Sequence, residues 1–333
     1  MKSKKDSFSK IKQVLKKSKV VSIVTHMNPD GDAIGSSLAL ALILRKNGIK
    51  AEVIVPNAFP AFLNWMKGTK GIINFEKNPA KAKSVLNKSD LVFILDFNNM
   101  KRIEGLGDYI SSLSTPKFLI DHHQQPEAFP SYYFFDVKAC STCELVYDLI
   151  KGCGYRSKLD KDIAACLYTG LMTDTGSFRF SSVSSKTHMI LADLLSTKLD
   201  QSQIHSNVYD TYSRNRMKLL GQALNNMVVL PNEKVAYISL SAKELKKYQY
   251  EKGDTEGMVN VPFQINGIVF CALFVESDGY VKISFRSKGK IDVNQFARNY
   301  FNGGGHVNAA GGRSYSSLKD TVASFVKLSP KAI

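Results

Sequence analysis

Residues 20–37 read VVSIVTHMNPDGDAIGSS. The β-branched run Val20–Thr25 predicts a short buried strand. It runs into His26-Met-Asn-Pro-Asp-Gly-Asp32, where Pro29 and Gly31 permit a tight turn that aims Asp30 and Asp32 from one loop. A helix over 33–46 follows, stopped by Gly48. A strand that ends in acidic and imidazole side chains and opens a helix has the form of an α/β binding edge. Ligands of open α/β sheets bind at the carboxyl ends of the strands, and the first amides of a helix favour anions. Gly35 and Ser36 are expected to leave room for a phosphate.

Outward from this stretch the pattern repeats. Lys50–Val55, Leu91–Phe97 and Phe118–Ile120 read as further strands. Ser141-Thr-Cys-Glu144 is a capping box opening a helix over 142–151, and Asp160 caps another that carries Ile163–Met172. Strands separated by helices predict a parallel α/β sheet with right-handed crossovers. Residues 184–226 read as mostly helical. A second α/β segment follows, with strands at Val235–Ser241, Ile268–Glu276 and Tyr280–Arg286 and helices at Val293–Phe301 and Leu318–Val326. The expected organisation is an N-terminal parallel-sheet domain over 1–195, a helical connector over 196–232, and a smaller α/β domain over 233–333.

Composition narrows the class. Hydrophobic residues make up 44% and charged residues 22% of 333 positions, so globular domains with sizeable cores are expected. Apolar runs such as Leu38–Leu44 fall far below the roughly 20 residues of a membrane helix, and no apolar segment follows the charged N-terminus as in a secretory signal. Five cysteines, an odd and small number, suit a reducing cytoplasm. The Cys140-x-x-Cys143 pair lacks a second ligand pair and is expected to pack rather than bind. The net charge of +16 suggests an anionic partner, although residues 1–19 alone hold eight lysines against one aspartate, which also fits a solvated helix.

Four segments place Asp or His at predicted element ends: the His26–Asp32 loop, Asp96, Asp121-His122-His123, and Asp174 in Thr173-Asp-Thr-Gly176. Alone, each has a plain explanation: an N-cap, a turn residue, a surface histidine pair. Together they make a donor set of carboxylates and imidazoles suited to hard or borderline divalent ions. Two ions about 3.5–4 Å apart can clamp the attacking and leaving oxygens of a phosphoryl displacement. His26, Asp30, Asp32, Asp96, His122 and Asp174 would supply the bridging and terminal ligands. Near the C-terminus, Gly303-Gly304-Gly305-His306 offers close backbone approach and an imidazole. Arg286-Ser287 ends a strand with a guanidinium suited to phosphate, and Arg179 is a further phosphate-contact candidate.

These motifs, in this order, resemble the four motifs of the DHH phosphoesterase family, over about residues 20–180. The resemblance implies two Mn²⁺ ions, with Mg²⁺ or Co²⁺ as alternatives. His26, Asp30 and Asp96 would hold one and Asp32, Asp96, His122 and Asp174 the other, with Asp96 bridging. His123 would face the substrate phosphate and Asp121 would orient a histidine. The C-terminal motifs, with Glu256-Gly-Met-Val-Asn260, resemble the substrate-binding domain of the oligoribonuclease branch and not that of the family II pyrophosphatases. That branch implies a hydrolase acting on short RNA or DNA and on 3′-phosphoadenosine 5′-phosphate, gripped by Arg286, Ser287, Gly303–His306 and Arg179. A homodimer is compatible with the sequence. The rival readings are a cyclic-di-AMP or linear-dinucleotide phosphodiesterase and a basic nucleic-acid-binding protein with a structural metal.

Overall fold

A computed structural model of the chain describes residues 4–124, 127, 130–231 and 234–333. The expected boundary at 232–233 lies outside the described residues. The chain divides after Thr211 into two compact units.

The first unit opens with helix α1 (Lys4–Lys17), followed by β1 (Val20–Thr25), α2 (Gly31–Lys46), β2 (Lys50–Val55), β3 (Ile73–Asn74), α3 (Pro79–Asn87), β4 (Leu91–Leu95), α4 (Glu104–Ser112), β5 (Lys117–Asp121), β6 (Tyr132–Phe135) and four helices, α5 (Thr142–Gly152), α6 (Lys161–Asp174), α7 (Ser185–Leu195) and α8 (Gln201–Tyr209). Its six strands form one sheet in the order β3-β2-β1-β4-β5-β6, with every neighbouring pair parallel. The sheet is apolar on both faces. Val21, Ile23, Phe93 and Phe118 belong to one core, and Val24, Ile54, Val92, Ile94 and Leu119 to the other. That two-sided burial is why these strands read as continuous apolar runs. The order reverses between β1 and β4, so the carboxyl ends of these neighbours form the crevice where such sheets bind ligands.

Helix α1 is not merely solvated. Ile11 and Leu15 are fully buried, and Phe8 meets Phe134 edge-on with 5.0 Å between ring centroids. Helices α2 and α6 approach so closely that they need glycine. A methyl group on Gly35 would collide with the carbonyl oxygen of Cys166, and one on Gly170 with Cys143 Sγ and with Asp32 Oδ1. Gly35 and Ser36 are buried inside the first unit, and Ser36 Oγ donates to the Ala33 carbonyl at 3.3 Å. The space expected there for a phosphate is therefore filled by α6: the small residues serve helix packing.

The second unit contains α9 (Arg214–Asn225), β7 (Val228–Val229), β8 (Val235–Leu240), α10 (Ala242–Lys247), β9 (Phe270–Ser277), β10 (Tyr280–Ser287), α11 (Val293–Tyr300), β11 (Gly304–His306), β12 (Ala309–Ser314) and α12 (Leu318–Leu328). Its sheet runs β11-β12-β10-β9-β8-β7 and is antiparallel except for β8 beside β9. Phe270, Phe274, Phe285, Phe296, Phe301 and Phe325 fill its core. Among the described residues no helix is long and apolar enough to cross a membrane.

The helix contact generates a test. Gly35→Ala is expected to lower stability by about 1–3 kcal/mol through overpacking. Gly105→Ala, at an exposed position of α4 where an added methyl meets nothing, is expected to leave it unchanged or slightly raised. Chemical denaturation of both variants checks the contrast; equal effects would show that the α2–α6 approach tolerates a side chain.

Candidate metal centre at the carboxyl edge of the first sheet

Each expected ligand is delivered by a strand or helix end. Asp30 caps α2, its Oδ1 accepting from the Asp32 and Ala33 amides at 3.1 and 3.0 Å, yet it also lies 3.9 Å from His26 Nε2. The N-cap reading and the site reading of Asp30 hold together. Asp96 follows β4 with φ of +65°, a left-handed conformation that Asp adopts more readily than most residues. Asp121 closes β5, His122 and His123 follow it, and Asp174 is the last residue of α6.

Asp96 lies at the centre of the cluster. Its Oδ2 is 3.3 Å from His26 Nε2 and its Oδ1 is 3.5 Å from His122 Nε2, so its two oxygens face two different imidazoles. His122 Nε2 is also 3.3 Å from Asp174 Oδ2 and 3.9 Å from Asp32 Oδ2. Among the sets whose donor atoms are close enough to share an ion are His26, Asp30 and Asp96, and Asp32, His122 and Asp174. Both histidines are held from behind. His26 Nδ1 donates to the Met27 carbonyl at 2.9 Å and His122 Nδ1 to the Ala139 carbonyl at 3.1 Å. With the carbonyls taking the Nδ1 proton, Nε2 faces the carboxylates, where it can give a proton to Asp96 or, once deprotonated, offer its lone pair to a metal.

His123 is fixed differently. Its Nδ1 donates to Asp121 Oδ1 at 2.7 Å, and it stands 3.8 Å from Asp96 Oδ1. Asp121 is fully buried, and its Oδ2 has no hydrogen-bond partner among the described residues. A buried polar group is costly unless its neighbours meet its hydrogen-bonding capacity, and His123 meets part of it here.

The electrostatics show what the cluster tolerates. Burial raises Asp32, and the Asp96 charge adds to it, bringing the carboxyl to about 7. Burial likewise drives Asp174 well above the usual range, against the pull of His122. Burial also opposes ionisation of Asp96, but hydrogen bonds from His122 and His26 outweigh it and hold that carboxyl well below the ordinary value. Burial works against a charge on His26 and His122 too, yet the bond to Asp96 leaves both raised. Burial lowers His123 despite Asp121. Carboxylates this crowded repel one another unless positive charge stands between them, and the donor set fits a divalent cation.

Sequence reasoning missed the backbone support. The first amides of α5 hold Asp32: Thr142 N–H donates to Oδ2 at 2.6 Å and Cys143 N–H to Oδ1 at 2.9 Å. Thr142 Oγ1 donates to Asp96 Oδ1 at 2.9 Å. The capping motif at 141–144 marked the helix start, but nothing in it named Asp32 as the acceptor. Ser141 caps as expected, whereas Glu144 Oε2 accepts from Cys140 N–H at 3.3 Å and Glu144 Oε1 from Lys186 at 2.8 Å. Cys140 and Cys143 are buried free thiols.

The other candidates make local contacts within their own units. Arg179 is exposed, its Nε donating to the Gly176 carbonyl at 2.8 Å. In the second unit, Arg286 Nη1 donates to the Phe285 carbonyl at 2.9 Å. Ser287 Oγ donates to the Ile291 carbonyl at 2.6 Å and accepts from Asn308 at 2.9 Å. Gly304–His306 is an edge strand, not a loose loop, paired antiparallel with β12. A methyl on Gly303 would strike the Gly311 carbonyl and one on Gly305 the Ala309 carbonyl, so these glycines admit the neighbouring strand.

Comparison with known proteins identifies the family. The model of the DHH family N-terminal domain matches residues 20–171, and that of the DHHA1 domain residues 232–329. A bifunctional oligoribonuclease and PAP phosphatase of Bacillus subtilis is 30% identical, over 87% of this chain and 88% of its own. A Streptococcus mutans protein with the same two activities in its name, given there as probable, is 29% identical over 93% and 94%. The crystal structure of an exopolyphosphatase-related protein from Bacteroides fragilis superposes with a TM-score of 0.93 at 40% identity, covering 98% of this chain and 96% of that one. The chain therefore belongs to the DHH phosphoesterase family, as a metal-dependent hydrolase whose second unit is a DHHA1 domain.

Proposed function

We propose that this chain is a Mn²⁺-dependent phosphoesterase that hydrolyses short oligonucleotides to mononucleotides and removes the 3′-phosphate of 3′-phosphoadenosine 5′-phosphate, leaving AMP. The observation that carries the reading is Asp96, whose two oxygens face two imidazoles, each belonging to a separate donor set. His26, Asp30 and Asp96 would hold one ion, and Asp32, Asp96, His122 and Asp174 the other. Bound divalent ions supply charge that stabilises a phosphoryl group under attack and lower the pKa of a water. His123, oriented by Asp121, would contact the substrate phosphate. In the reaction water adds to phosphorus, the bond to the leaving oxygen breaks, and that oxygen takes a proton. Arg286, Ser287, Gly303–His306 and Arg179 would hold the rest of the nucleotide. The substrates are supported by the names of the Bacillus and Streptococcus relatives.

Asp96→Ala should remove most Mn²⁺-dependent turnover while the melting transition survives. Turnover like that of the wild type in metal-saturated protein would eliminate the shared-carboxylate reading. A substrate panel addresses the second half of the proposal. With Mn²⁺, RNA of about 2–5 nucleotides and 3′-phosphoadenosine 5′-phosphate should be cleaved faster than RNA of about 24 nucleotides, cyclic-di-AMP or inorganic polyphosphate. A rate flat or rising with length would point to a processive exonuclease, and preference for polyphosphate to the activity after which the Bacteroides relative is named.

Arg286→Ala should raise KM for 3′-phosphoadenosine 5′-phosphate about 10- to 150-fold, since a charge-assisted contact is worth roughly 1.5–3 kcal/mol. Hydrolysis of bis-p-nitrophenyl phosphate, which offers no nucleotide, should suffer far less. Equal and small effects on both would remove Arg286 from substrate binding.

A further inference from the structure

Thr142 lies at the first position of α5, fully buried. The helix does not need its hydroxyl, because Ser141 is the cap and accepts the Glu144 amide at 3.1 Å. The Thr142 backbone amide is committed to Asp32 Oδ2. That leaves the hydroxyl, which donates to Asp96 Oδ1 at 2.9 Å. The two imidazoles that also bond to Asp96 approach at 3.3 and 3.5 Å, longer and therefore weaker restraints on rotation of the carboxylate about its Cβ–Cγ bond. Terminal torsions of this kind have broad minima. The Thr142 hydroxyl is the shortest contact on that carboxylate among the described hydrogen bonds and ion pairs, and it engages one oxygen only.

We infer that Thr142 is a positioning residue. Its hydroxyl fixes the rotation of the Asp96 carboxylate so that Oδ2 is directed to the His26–Asp30 set and Oδ1 to the Asp32–His122–Asp174 set. The same residue clamps Asp32 through its amide, so one residue sets the geometry of two carboxylates that face the same pocket. The inference rests on the two-ion reading above, and it deepens it: the shared carboxylate divides its oxygens because a third residue prevents both from turning to one ion. A hydroxyl bonded to a ligating carboxylate also draws charge from the oxygen it touches, so the two oxygens of Asp96 are unequal donors. The set facing Oδ1 is the one that depends on this bond.

The test uses full-length metal-free protein titrated with Mn²⁺ and followed by electron paramagnetic resonance, which distinguishes isolated ions from a carboxylate-bridged, exchange-coupled pair. Thr142→Val keeps the side-chain shape and removes only the donor; Thr142→Ser keeps the donor. Wild type should bind two ions and show the coupled signal. Thr142→Val should melt close to wild type when metal-free, bind one ion nearly as well, and bind the second about 10- to 100-fold more weakly, the usual effect of losing a partner behind a ligand. The coupled signal should then disappear at Mn²⁺ concentrations that suffice for wild type. Thr142→Ser should restore second-ion affinity to within about threefold of wild type. In turnover, Thr142→Val should lower kcat more than it raises KM for 3′-phosphoadenosine 5′-phosphate. Two ions bound by Thr142→Val with wild-type affinity and a coupled signal would overturn the inference and leave the two-ion reading standing. A single ion in wild type would overturn that reading itself, and the inference with it. If Thr142→Val does not fold, Thr142→Ala is read in the same way.

Discussion

Five carboxylates gather around His26, His122 and His123, and three of them, Asp32, Asp96 and Asp121, are almost entirely removed from water. A buried charge is tolerable only when paired or hydrogen-bonded. Much of the first unit can be read as the means of meeting that condition. The strand order turns between β1 and β4, which opens a crevice where β1 delivers His26 and β4 delivers Asp96. Helix α5 begins at the crevice and gives two amides to Asp32. Two carbonyls, of Met27 and Ala139, turn His26 and His122 so that their Nε2 atoms face inward. The packing of α2 on α6 belongs to the same arrangement. Gly170 has no side chain where Asp32 and Cys143 need space, so the helix that carries Asp174 can approach the helix that carries Asp32. Helix packing distance and site geometry are one constraint.

The strand ends were legible because a strand buried on both faces leaves a continuous apolar run, and the first polar residue after it marks the carboxyl edge. Val20–Thr25, Leu91–Leu95 and Phe118–Ile120 all announced themselves in this way, and the Asp and His residues after them converge. The edge strands Ile73–Asn74 and Tyr132–Phe135 were not legible: two and four residues are too short to show a period. Backbone groups were not legible either. The amides of Thr142 and Cys143 and the carbonyls of Met27 and Ala139 carry no side-chain identity that sequence could flag.

Glycine was the other blind spot. A glycine says that a side chain is unwelcome, but not what takes its place. Gly35 was read as space for a phosphate and proves to be space for the Cys166 carbonyl; Gly303 and Gly305 were read as a close approach to a ligand and make a close approach to β12. In both cases the missing side chain is accounted for by the protein's own backbone. A ligand contact at Gly303–His306 would therefore have to use groups other than the empty space itself, such as amides or the His306 ring.

Asp32 and Asp96 show why position within the pocket matters more than membership in it. Both are buried, and burial pushes both carboxyls upward. Asp96 ends well below the ordinary range because His122 and His26 bond to it directly. Asp32 ends at about 7 because the Asp96 charge adds to its burial and His122 only partly offsets them. Direct hydrogen bonds thus favour the ionised form of Asp96, while burial first, and the Asp96 charge second, oppose ionisation of Asp32. A pocket built this way discriminates by charge: a cation offsets both the burial and the mutual repulsion that raise Asp32 and Asp174, whereas an anion entering alone would add to the repulsion. A phosphoryl group is an anion. The acidic side chains that bring the donor sets together would repel the substrate, and the reaction assigned to this family becomes electrostatically reasonable only with positive charge between the two. The requirement for metal in this hydrolase is in that sense a consequence of the pocket's own acidity.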